Sequence, residues 1–105
     1  MAEIPNKVTR IIKKYLLEIE KNNIRLDEAY LFGSYAKGNY NDWSDIDIVI
    51  VSDSFTGNRF MDKEKIRRIK TKVDFNISPF PIRTSDFSKD NLFINEILQD
   101  AVKVA

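Results

Sequence analysis

The chain has 105 residues, 43% hydrophobic and 31% charged, with a formal net charge of +1. That is the size and balance of one ordinary globular domain with a single modest core, and the near-neutral charge argues against a dedicated nucleic-acid binder. It contains no Cys and no His, which excludes disulfides, thiolate or imidazole metal sites and Ser–His or Cys–His nucleophiles, and leaves carboxylates, hydroxyls, Lys, Arg and metal ions for any chemistry.

The N-terminal stretch "MAEIPNKVTR" lacks the apolar core of a signal peptide. The longest apolar run, Ile48 to Val51, falls far short of the roughly 20 residues that span a bilayer. The expectation is a cytoplasmic protein with no membrane association. Ile4, Val8, Ile11, Ile12, Tyr15, Leu16 and Ile19 form a helical stripe with Lys, Arg and Glu opposite, predicting a helix over about 5–22. Pro5 suits its first turn. "AYLF" predicts a strand over 28–32 ending at Gly33, and "SYAKG" a helical turn from Ser34 to Gly38.

"SDIDIVIV" predicts a second strand over about 45–51, buried on both faces along its apolar tail. "MDKEKIRRIKTK" reads as a polar helix with Ile66 and Ile69 inward. "KVDFNIS" alternates and predicts a third strand over 72–78, whereas Pro79 and Pro81 mark "PFPIRTS" as irregular. "KDNLFINEILQDA" carries Phe93, Ile94, Ile97 and Leu98 at helical spacing, and "VKVA" suggests a last short strand. The order α-β-β-α-β-α with that final strand predicts a small α/β (α+β) domain, one mixed sheet covered by helices over residues 1–105.

Asp45 and Asp47 stand at the mouth of the second strand. Residues two apart on a strand share a face, with Cα atoms about 6.5–7 Å apart. Two such carboxylates converge on one divalent ion, or on two ions about 3.5–4 Å apart. The bland alternative is a solvated strand end. Asp74, expected on the third strand among Val73, Phe75 and Ile77, reads alone as a sheet-edge residue facing water, but beside the pair it would complete an acidic triad and become a candidate metal ligand. Gly33 and Ser34 begin a turn whose free N–H groups favour phosphate, against the simpler reading of Ser34 as a cap. Lys37 suits a phosphate oxygen, or is an ordinary surface lysine.

Gly33-Ser34, ten intervening residues, then Asp45-Ile46-Asp47 resembles the G-S-x10-D-x-D signature of the polymerase-beta-like nucleotidyltransferase superfamily. "GSYAKGNYNDWSDIDIVIV" is similar to its "GSxARGxxxxxSDIDLxV" pattern, with Lys37 where many members carry Arg, and the chain's size is like that of the minimal nucleotidyltransferases (MNT domains). The resemblance covers nearly the whole chain. It implies that Asp45, Asp47 and Asp74 are catalytic and hold one or two Mg²⁺ ions. It implies that Gly33, Ser34 and Lys37 bind the nucleotide, and that ATP is the donor.

Minimal members commonly pair with a helical HEPN protein as the antitoxin of a toxin–antitoxin pair. There the resemblance implies transfer of AMP to a tyrosine of the partner. Alternatives are a small-molecule acceptor bound between two copies in a homo-oligomer, or an inactive module that neutralises its partner by contact. A nucleic-acid role for the basic helix from Lys63 to Lys72 is the weaker rival, since a solvated face explains those cations.

Overall fold

The apolar stripe near the N-terminus forms helix α1 (Asn6–Lys21) in a computed structural model that describes residues 4–88 and 90–105. Val8, Ile12, Tyr15, Leu16 and Ile19 lie buried along one side, the spacing that brings side chains to a common face. Pro5 precedes the first turn, where its missing N–H costs nothing. Beyond the helix, Asn23 turns the chain with a φ of 63°, a left-handed conformation that Asn tolerates better than most residues.

The remaining elements are β1 (Glu28–Phe32), α2 (Gly33–Lys37), β2 (Ile46–Ser52), α3 (Arg59–Lys70), β3 (Ile77–Arg83), α4 (Leu92–Leu98) and β4 (Val102–Lys103), with a short 3₁₀ turn at Thr84–Asp86. They make a mixed four-stranded sheet in the order β3-β2-β1-β4. β1 runs antiparallel to β2 and β4, and β2 runs parallel to β3. Ile46, Ile48 and Ile50 of β2 face α1 and α3, where they pack with Tyr15, Ile19, Ile66 and Ile69. Val49 and Val51 face the other way and meet Ile82 and Ile94. The unbroken apolar tail of β2 is therefore covered on both sides, as a central strand requires.

The third strand is not where the alternation of "KVDFNIS" places it. Asp74 lies in the turn between α3 and β3, and the strand runs through Pro79 and Pro81. The reason is geometric. In a parallel pair, alternate residues turn both backbone groups toward the neighbour. The Asn76 carbonyl accepts from Ile46 N–H at 2.8 Å, whereas the Ile77 carbonyl faces outward and accepts from Lys70 Nζ at 2.9 Å. By that alternation Pro79 and Pro81 direct their missing N–H groups to the open edge, the place in a sheet where proline is tolerated.

α3 begins earlier than its apolar residues suggest, because Asn58 caps it by accepting from Met61 N–H at 3.1 Å. Buried Asp62 then ties down the preceding loop, accepting from Thr56 N–H, Thr56 Oγ1 and Gly57 N–H at 2.9–3.0 Å. α4 is shorter than its sequence pattern, starting at Leu92 with Asn91 as its cap. Lys89, the expected start of that helix, and residues 1–3 of the N-terminal stretch lie outside the described residues. Among the described residues no helix is long and apolar enough to cross a membrane.

Candidate active site

Period-two alternation along β2 puts Asp47 on the same side as Val49 and Val51, the side that carries α4. Asp45 precedes the strand by one residue and stays exposed, while Asp47 is half-buried. Pairing sets Asp47 opposite Phe32 of β1 on one side and Ser78 of β3 on the other. Burial first, then the Asp45 charge, push the Asp47 carboxyl above its ordinary pKa, and the Ser78 hydroxyl beside it acts in the opposite direction. Among the described residues, neither aspartate has an ion-pair partner.

Gly33 closes one wall of this site. Its φ is 72°, and a Cβ built there would lie 2.1 Å from Asp47 Oδ2. Both the left-handed backbone and the close approach of the carboxylate call for glycine. α2 starts at this residue with Phe32 as its cap, and no side chain makes the capping bond. Ser34 is thus not the cap, and its hydroxyl stays available. Gly38 ends the helix with a φ of 84°, its N–H bonding the Ser34 carbonyl at 2.9 Å.

Lys37, exposed at the end of α2, borders a cleft of about 240 Å³ with Gly33, Phe93 and Glu96. The far wall of that cleft belongs to α4, where Phe93 packs on Phe80 at 4.9 Å between ring centroids. A larger groove of about 590 Å³ beside Met61 and Arg68 of α3 contains none of the predicted residues.

The structure brings Asp45, Asp47 and Gly33 together, with Ser34 and Lys37 on the adjoining helix. It does not bring Asp74 to the pair. That residue's Oδ1 accepts from Asn76 N–H at 2.8 Å within its turn. Among the described residues no three acidic side chains gather as a metal site. The expected triad is therefore a pair. Ser78, opposite Asp47, was not legible as a site residue. It follows only from the β2–β3 register, and the prolines hid that strand.

Two convergent carboxylates without a cationic partner fit a hard divalent ion. Oxygen donors suit Mg²⁺, which is commonly held by one or two carboxylates while substrate phosphates complete its shell.

Residues 10–104 match the family model described as a nucleotidyltransferase domain. A curated relative from Methanocaldococcus jannaschii, named as a candidate protein adenylyltransferase, is 33% identical over 93% of this chain and 99% of its own length. A candidate nucleotidyltransferase from Sulfolobus solfataricus superposes with a TM-score of 0.69 at 24% identity, over 92% of this chain and 78% of that one. A toxin–antitoxin complex crystallised with AMP-PNP contains a chain that superposes with a TM-score of 0.57 at 22% identity, over 92% of this chain and 72% of its own. An MntA toxin–antitoxin mutant gives 0.56 at 18%, over 89% and 71%. These last three likenesses speak for the fold, and the family match and the curated relative decide the rest: the chain belongs to the nucleotidyltransferase domain family and is a nucleotidyltransferase enzyme.

Proposed function

We propose that this chain transfers AMP from ATP to a hydroxyl of a partner protein, a tyrosine of a HEPN-type toxin that it neutralises. The observation that carries the reading is the Asp45–Asp47 pair, set on one strand face against the bare backbone of Gly33. The name of the archaeal relative and the toxin–antitoxin setting of two structural neighbours favour a protein acceptor.

In this reading Asp45 and Asp47 hold Mg²⁺, which supplies charge stabilisation for the phosphates in the transition state. Gly33 lets the triphosphate approach the backbone, Ser34 donates its hydroxyl to a phosphate oxygen, and Lys37 offsets phosphate charge. The acceptor oxygen forms a bond to the α-phosphorus. The bond from that phosphorus to the oxygen bridging to the β-phosphate breaks, pyrophosphate leaves with the electron pair, and the acceptor proton passes to solvent. The contribution of these residues is positioning and electrostatics, and such a reaction requires no histidine.

A second reading, neutralisation by contact alone, gains from one observation: only two carboxylates gather at the site among the described residues. Intact-mass measurement of a HEPN-type partner after incubation with this protein and MgATP separates the two. The transfer reading expects a gain of one or more adenylates, lost with Asp45→Asn. An unmodified but neutralised partner would leave the contact reading standing instead.

A further inference from the structure

Two divalent ions held about 3.5–4 Å apart need carboxylates from more than one direction to offset their mutual repulsion. In this chain Asp45 and Asp47 approach from a single strand. The neighbours able to put a side chain beside Asp47, on the same face and at the same level, are the residues paired with it, roughly 4.8 Å away across the sheet. On the β1 side the residue in register is Phe32, whose apolar side chain offers no ligand to an ion. On the β3 side the residue in register is Ser78, exposed on the edge strand. Asp74 is four residues upstream, in a turn that its own carboxylate bonds. Glu96 borders the Gly33–Lys37 cleft, yet it does not join the aspartates in a group of three.

We propose that Ser78 fills the corner where a third carboxylate would complete a two-ion centre, so that this site takes one divalent ion with its nucleotide. The inference rests on the nucleotide-binding reading above and narrows it. A serine hydroxyl donates or accepts a hydrogen bond but is no base at neutral pH. The chain therefore places no carboxylate of its own from β3 beside the incoming acceptor. Ser78 stands in register with Asp47 and leaves the second ion's place without a ligand.

The test counts ions. Mn²⁺ replaces Mg²⁺, and its binding is followed by paramagnetic resonance in the presence of a non-hydrolysable ATP analogue. The parent is expected to bind one Mn²⁺ per chain, and so is Asp74→Asn. Ser78→Asp is expected to bind two, with the second ion at least about tenfold tighter than any second ion in the parent. Ser78→Glu serves as the second variant, and circular dichroism checks that both remain folded. Two ions in the parent, loss of an ion in Asp74→Asn, or a single ion in both folded Ser78 variants each overturns the inference while leaving nucleotide binding intact. A parent that binds neither Mn²⁺ nor the analogue overturns the nucleotide reading itself, and this inference with it.

Discussion

At the residue scale, the site depends on how closely Gly33 lets Asp47 approach. Gly33→Ala would force a Cβ onto the carboxylate at a backbone angle that L residues resist. The conformational strain alone costs about 1–2 kcal/mol, and Asp47 must also swing away. The expected outcome is a lower melting temperature together with lost transfer. Full activity in that variant would show that the Asp47 position is not critical. Asp47 itself should behave as a group under charge stress. Its folded pKa is raised by burial and by Asp45, so its ionised form destabilises the metal-free fold above that pKa. The penalty fades as pH falls through the folded pKa and is gone below the ordinary carboxylate value. Asp47→Asn is therefore expected to melt higher than the parent at neutral pH without metal, and to lose that advantage in acid. Melts at several pH values check the sign. The shared face of Asp45 and Asp47 is legible from their two-residue spacing, whereas Gly33 is marked only by the resemblance to the nucleotidyltransferase pattern. Ser78 is not legible, because a residue opposite Asp47 is defined by pairing between strands that sequence does not display.

At the element scale, the patterns that read correctly were those with one dominant cause. The α1 stripe and the apolar tail of β2 each answer to a single buried face or pair of faces. β3 misled because two rules competed. Alternation in "KVDFNIS" suggested a strand, and the prolines after it suggested an end, but an open edge accepts proline where a central strand does not. α3 starts before its apolar residues suggest, because a polar cap rather than apolar spacing fixes its first turn. Asn58→Ala removes the bond to Met61 N–H, and such caps are worth about 0.5–2 kcal/mol. An unfolding free energy lowered by that amount, read as a lower denaturant midpoint at unchanged slope, is the expected result. No change in the midpoint would mean that the cap contributes little to α3.

At the scale of the whole molecule, the sheet brings two segments distant in sequence to one face. β2 and the residue just before it carry the carboxylates, and α4 closes the cleft beside Gly33 and Lys37. Ligands that bind only this assembled face should stabilise the entire fold. At about 100 times its dissociation constant a ligand adds about 2.7 kcal/mol, which for a domain of this size raises the melting temperature by several degrees. MgATP together is expected to give that rise, and either component alone a smaller one. A melt indifferent to millimolar MgATP would count against a nucleotide site on this face. The most direct measurement follows the phosphorus itself. The protein is incubated with a HEPN-type protein of the proposed kind, Mg²⁺ and ATP labelled at either the α- or the γ-phosphate, and that protein is then examined for label. Transfer of AMP predicts label on the partner from α-labelled ATP, none from γ-labelled ATP, and none from either with Asp45→Asn. Label arriving from the γ-phosphate, or α-label undiminished in Asp45→Asn, would contradict the account.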